Sequence, residues 1–559
     1  MSAASSMTQA TSPSSGQTNA KTSVGRGLAI GTMLLLVGML VGRVASVFRE
    51  VLVAGQFGAN YQVDAYVLAI TIPSVLAEIV SGGGLTAAIQ PFLAEQMQQG
   101  GARRAWRSAS AIVNTYTVGL FAMVGALLAI SPYLMSAWAQ GRDGTTLQLV
   151  HELLPITASS LVFYALLVVY AGVVNQLRCF WAQAILPLLL TLPMIVAAAF
   201  FTPIYGIQAL AVAYTVSIGL AAVSMFLIAR SHGVTYHFAF RLPPGKGKAF
   251  LLLLVPSLLM QVMPLINMMI DRALASTLSE GSLATLAYGT AVNNAVLSLA
   301  TALAVAVFPQ FNDLYLQEGM ERVAALLARV SLPLLFLTMP VAALFIGFAD
   351  PLVHLWLERG AFDPNARHAT AMVVQALGLG VPAAATYYVT LRVFWAASDM
   401  VTPIVIGFIT GVLNVVLDVV LMGPMGHVGI ALSTTIVVWC NALAALWLLR
   451  RRARMPLGPL ARAIGRYALA CLPILGIAAV GRFLVPPVDA HFDLLRFALF
   501  FVGAGCTYLL IAVLLGWSEL VPFLKALSRV GVPVPTVPIA GSGQASLIGW
   551  VIQKVGRRG

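Results

Sequence analysis

The chain has 559 residues, of which 60% are hydrophobic and only 9% charged, with a mean hydropathy of +0.91 and a net charge of +13. A soluble chain carries roughly 25% charged residues, so the soluble globular classes are excluded and a polytopic membrane protein is implied. The positive balance then reads as topology and contact with anionic lipid, with no role for nucleic acid.

Residues 1–24 are rich in Ser, Thr, Gln and Asn and lack both an apolar core and a cleavage site. They read as a disordered cytoplasmic tail rather than a signal peptide. Fourteen apolar runs long enough to span follow, near 27–48, 63–92, 108–137, 149–175, 180–202, 207–229, 250–271, 282–311, 324–349, 369–391, 401–422, 428–449, 462–482 and 495–516. With the N-terminus in the cytoplasm, most of the 32 Lys and Arg fall in cytoplasmic loops and tails, including the cluster from Arg450 to Arg466. Both termini are therefore expected in the cytoplasm. The predicted class is an all-α polytopic membrane protein. It has an N-lobe of six spans over 25–232, a C-lobe of six over 246–455, two extra spans within 456–516, and a tail over 517–559. The tail opens with WSELVPFLKALSRV, an amphipathic stretch expected on the membrane surface, and ends basic.

The lobe assignment rests on an internal repeat. LRCFWA (177–182) returns as LRVFWA (391–396), AIQPFLAEQ (88–96) as AVFPQFNDL (306–314), and YGIQAL (205–210) as VGIAL (428–432). The three echoes keep their order at offsets of about 214 to 223 residues, six spans apart. Six is even, so both halves enter the membrane in the same sense. A parallel repeat of this kind suits a transporter whose lobes rock around a midplane site.

Enzyme signatures are absent: no Walker A loop, no HExxH and no nucleophile elbow occurs, and the seven histidines are dispersed. The chain is read as a non-enzyme without cofactor or metal, and coupling to an ion gradient or to the membrane potential is left open. The four cysteines, Cys179, Cys440, Cys471 and Cys506, show no pairing or metal spacing.

The candidate residues are polar groups in apolar spans. Arg43, Arg49 and Glu50 lie in GRVASVFREVLVAGQFG (42–58), where a charge near mid-bilayer costs roughly 2.5–3.5 kcal/mol. Arg43 and Glu50, seven apart, share a helix face about 20° from alignment, and Arg49 lies off it. Two readings stay open, a mutual pair that locks helices and a cavity-lining cation for an anionic substrate. Such residues default to function. Asp64 opens the second span, Glu78 sits within it ahead of SGGGL (81–85), and Asp271 and Arg272 end the seventh, where an interfacial gate or structural role is expected. Asn175, Asn267, Asn293, Asn294 and Asn414 are expected as interhelical hydrogen-bond partners.

The order GRVxxxxRE, FGA (57–59), DAY (64–66), IP (72–73) and PFLAE (91–95) resembles the start of the MurJ/MviN lipid II flippase family. ERGAFD (358–363), IDRALASTL (270–278), FWAASDMVTP (394–403) and GPMGHVGIAL (423–432) resemble it too. The resemblance covers about 27 to 516. It implies a member of the multidrug/oligosaccharidyl-lipid/polysaccharide exporter superfamily. Such a protein carries an undecaprenyl-pyrophosphate-linked peptidoglycan precursor to the outer leaflet of the bacterial inner membrane by alternating access, as a monomer. It also implies that Arg43, Arg49 and Glu50 meet the substrate and that Asp64 is a gate residue; Glu78, Asp271 and Arg272 are expected in gating or coupling from their place in the spans alone. Two arginines usual in the family are replaced by Ala77 and Thr290, and a family glutamate falls at Gly82. Export of another polyprenyl-linked glycan, such as an exopolysaccharide or O-antigen unit, is therefore the alternative cargo.

Overall fold

A computed structural model describes residues 37–81, 84–138, 144–177, 179–240, 264–484 and 490–515, with Trp517 and Glu519. Every regular element among them is helical. The helices are α1 (37–57), α2 (Tyr61–Ser81), α3 (Gly84–Trp138), α4 (Gly144–Ala158), α5 (Ser160–Gln176), α6 (Phe180–Val196), α7 (Thr202–Tyr205) and α8 (Gln208–Ser231). They continue as α9 (264–276), α10 (Ser282–Glu318), α11 (Met320–Leu357), α12 (Pro364–Gly378), α13 (Val381–Ala396), α14 (Val401–Met425), α15 (His427–Ala453), α16 (Gly458–Leu484) and α17 (Ala490–Leu514). A π-helical turn, Ala197–Phe201, links α6 to α7.

Among the described residues, eleven helical stretches are long and apolar enough to cross a membrane, counting α4 with α5 and α6 with α7 as one each, or twelve if α12 and α13, bent by 46°, form one broken span. The first predicted span differs most. The helix there runs on to residue 57, past Arg49 and Glu50, because those charges turn inward to other protein groups and give no reason to stop. Of the seventh predicted span, only 264–271 lies among the described residues.

Two sets of helices pack internally. In the first, α5 packs on α3 and α8, α8 on α6, and α2 on α4. In the second, α10 packs on α12 and α13, α11 on α12 and α13, and α14 on α15. The contact between α2 and α10 bridges the sets. α16 lies along α11, where Phe336, Tyr467, Tyr508 and Trp517 stack with ring centroids 5.0 to 6.1 Å apart. Trp517 and Glu519, the described residues of the predicted surface stretch, are buried, and Glu519 Oε1 accepts from Arg466 at 3.4 Å. The tail thus begins tucked into the bundle, since an indole and a carboxylate find partners there.

Helix α1 is seated on α6 through Gly38 and Gly42, one turn apart. A Cβ added to Gly42 would lie 2.3 Å from Pro187 Cβ, and one on Gly38 would lie 2.2 Å from the Ala184 carbonyl oxygen. Small residues at four-residue spacing let two membrane helices approach this closely, and here they fix where Arg43 and Arg49 point. Gly42→Val is expected to lower the thermal-unfolding midpoint in detergent, equivalent to about 1–3 kcal/mol of overpacking. Gly407→Val, at a position with nothing within 4 Å, is expected to leave the midpoint unchanged in the same assay.

Candidate functional site

A cavity of about 530 Å³ lies between the two sets of helices. Its wall includes Arg43, Arg49 and Glu50 from α1, Tyr66 from α2, Asp271 and Arg272 from α9, Thr290, Asn293 and Asn294 from α10, Tyr388 from α13 and Thr434 from α15. Helical spacing explains the recruitment, because 290, 293, 294 and 297 recur on one face of α10.

The three charges of α1 behave differently. Arg49 donates to Glu50, and its Nη1 reaches Met194 Sδ at 3.5 Å. Arg43 makes no hydrogen bond or ion pair among the described residues and is exposed to the cavity. The Arg43–Glu50 pair that helical geometry allowed does not form, because the neighbouring Arg49 reaches Glu50 first. Arg49 also shares the cavity wall, although the helical wheel set it off the Arg43 face. The cavity thus holds one compensated and one bare guanidinium on the same helix.

Asp271 and Arg272, expected at the end of an apolar run, both line the cavity. Arg272 crosses to the first set by donating to Thr71 of α2. Asp271 faces Asp418 of α14, and Asp271 Oδ1 and Asp418 Oδ2 have no donor among the described residues. Ser433 of α15 donates to Asp418 Oδ1, and Asn414 approaches the same oxygen at 3.4 Å. Asp418, fully buried, went unread in the sequence, as did Ser433. The available signal was Asn414 and Asp418 at i, i+4, which places two polar side chains on one face of an otherwise apolar helix. Asn414 is an interhelical partner as expected, bonding Ser433 at 3.2 Å. Asn293 and Asn294 instead face the cavity. Glu78 stands at the protein surface, outside the cavity wall.

One end of the cavity is sealed by contacts between the sets. Asp64, fully buried on α2, accepts from the Gly281 and Ala284 amides at 2.8 Å each, which caps α10 from a different helix. Tyr288 Oη donates to the Gly58 carbonyl at 2.9 Å and the Ala361 amide to the Gly55 carbonyl at 2.8 Å. Gly360, at φ +57°, would bring an added Cβ to 2.1 Å from the Gly55 oxygen, so only glycine permits this approach. The Phe362 ring meets Tyr288 edge-on at 5.6 Å. The strings FGA and ERGAFD are therefore two halves of one closure. The loop after α11 is braced by Glu358, which accepts from His354 at 2.7 Å and Arg367 at 2.8 Å. Burial pushes the Glu358 carboxyl up, but these two partners outweigh it and hold the group below the ordinary carboxylate range.

A family model described as lipid II flippase MurJ matches residues 53–491. The chain belongs to this family. Among its relatives, the lipid II flippase MurJ of Burkholderia cenocepacia is 27% identical over 431 residues, covering 74% of this chain and 82% of that one. The probable lipid II flippase MurJ of Rickettsia prowazekii is 24% identical over 410 residues, covering 72% and 80%. A solved lipid II flippase MurJ in an inward closed conformation superposes with a TM-score of 0.72 at 22% identity, over 89% of this chain and all of that one. An inward-facing multidrug resistance MATE family transporter of the MOP superfamily gives 0.58 at 15% identity, over 76% and 98%. At these identities the superpositions establish the fold.

Asp64→Ala leaves the Gly281 and Ala284 amides without their acceptor, which is expected to weaken the closure by about 1–3 kcal/mol. A cysteine placed at Ala59 should then react faster with a membrane-impermeant maleimide than in the Asp64 background. For Glu358, a depressed carboxyl stabilises the fold above its ordinary range, and this contribution is lost as pH falls through the depressed value. The difference in thermal midpoint between the native chain and Glu358→Gln is expected to be full at neutral pH and to shrink in acid below the carboxylate range.

Proposed function

We propose that this chain is the flippase that its family name describes, moving lipid II from the inner to the outer leaflet of a bacterial cytoplasmic membrane by alternating access. The observation that carries the reading is Arg43, a bare guanidinium in a cavity sealed at one end. A pyrophosphate cannot cross hydrocarbon unaccompanied, and arginine meets it with a planar fork of donors. The lipid tail stays in the bilayer while the headgroup uses the cavity.

In this reading fourteen spans form two parallel six-helix lobes and a C-terminal pair, the chain works as a monomer, and both termini are cytoplasmic. Support for the repeat comes from Gly101 (φ 71°, ψ −179°) in the break of α3 and Gly319 (φ 80°, ψ −172°) between α10 and α11. These matched kinks fall at the offset of the second echo. The sealed end faces outward, and the molecule awaits substrate from the cytoplasm. Asp271 and Asp418 are the coupling site in this scheme. Two facing carboxylates repel unless a proton or a monovalent cation sits between them, so their occupancy responds to an ion gradient. The chain acts as a transporter and performs no covalent chemistry. A second cargo, another polyprenyl-linked glycan, is favoured by one feature: Glu50 already compensates Arg49, so the cavity offers less free positive charge than a full arginine set.

The test is rescue of a bacterium depleted of its own lipid II flippase. The native chain should restore growth and outward lipid II, and Arg43→Ala should abolish both at unchanged membrane abundance. Full activity of that variant would make Arg43 structural. Failure of the well-expressed native chain to rescue would favour the other glycan cargo.

A further inference from the structure

The cavity wall carries uncharged polar atoms that no described residue satisfies. Tyr66 on α2 and Asn293 on α10 line it at only 7% and 8% exposure, and Tyr66 Oη and Asn293 Oδ1 have no hydrogen-bond partner among the described residues. Unpaired buried polar atoms destabilise a fold, so two of them converging on one cavity call for a ligand. Thr290 and Asn294 extend the same face of α10 and are exposed to the cavity, and Tyr388 faces it from α13.

The chemistry of this strip differs from that of Arg43. A pyrophosphate is held best by charge-assisted N–H donors. A phenol both donates and accepts, an amide oxygen accepts from O–H or N–H, and an amide nitrogen donates. Such a set matches a ligand dense in hydroxyl and acetamido groups and without charge of its own.

We infer that Tyr66 and Asn293, with Thr290 and Asn294 beside them, form a saccharide subsite that reads the uncharged sugar portion of the cargo while Arg43 holds its phosphate. The inference rests on the flippase reading above and deepens it. A site built to hydrogen-bond a ligand discriminates strongly against analogues lacking those groups, because its own polar atoms are then left unpaired. The strip therefore sets which glycan is accepted.

The experiment uses the purified full-length chain in lipid nanodiscs and two probes, a polyprenyl pyrophosphate carrying an N-acetylated disaccharide and the same polyprenyl pyrophosphate without sugar. Tyr66→Phe and Asn293→Leu are each expected to weaken the sugar-bearing probe by roughly 5- to 10-fold and to leave the bare probe unchanged within about twofold. Arg43→Ala should weaken both probes alike. Equal loss of both probes in the Tyr66 and Asn293 variants, or no loss of the sugar-bearing one, overturns the subsite. If Arg43→Ala weakens neither probe, the flippase reading fails instead. Tyr66→Phe removes one unpaired oxygen and is expected to fold at least as stably as the native chain, so it carries the test alone if Asn293→Leu misfolds.

Discussion

The closed state depends on a carboxylate that leaves one helix to cap another. Asp64 is fully buried, and burying a bare carboxylate is prohibitive unless hydrogen bonds replace its water. The first amides of α10 are likewise unsatisfied within their own helix. Each group therefore solves the other's deficit, and the favourable charge at a helix N-terminus adds to the bond. Because the two groups belong to different sets of helices, solving both at once pins the sets together. The neighbouring contacts, Tyr288 to Gly58 and Ala361 to Gly55, follow from this registration.

Below the seal, the electrostatics of the cavity follow from near neighbours. Glu50 takes Arg49, so that pair is close to neutral as a unit, and Arg272 lies between Asp271 and Thr71. Arg43 is left without a partner among the described residues, six residues and so about 9 Å further along α1 from the seal. Position on α1 alone therefore separates a structural charge from an available one. That position is set from behind, by two glycines that let α1 lie on α6. A backbone contact on the outer side of the helix decides which charge the cavity receives.

Much of this was legible in the sequence. Composition gave the class, and spans of the expected period gave most helices, since membrane helices must satisfy their own backbone and announce themselves by length. Charges inside apolar runs marked Arg43, Arg49 and Glu50, all of which line the cavity. What the sequence concealed was pairing across helices. Asp418 and Ser433 are ordinary residues until α14 and α15 bring them together and Asp418 meets Asp271, and that Asp271 borders a cavity shows only once α9 is placed. Glu78, read from its place within a span, is exposed and stands outside the cavity wall, a direction that the sequence of α2 does not show. Periodicity fixes relative directions on a helix but leaves open which direction is inward when nearly every side chain is apolar.

A carrier must hold its seal and also release it, and the contacts here suit that demand. The directional part of the closure is a handful of hydrogen bonds and one aromatic edge contact, each contributing about 0.5–1.5 kcal/mol net. Reversing a two-state population from about 1:99 to 99:1 needs roughly 5.5 kcal/mol of differential binding. The two magnitudes are of the same order, so differential binding of that size is enough to offset the polar contacts. Apolar side chains of both sets, among them Val53, Val63, Leu283 and Phe362, pack into one core beside these contacts, so opening must also offset the loss of that apolar burial or give it new partners.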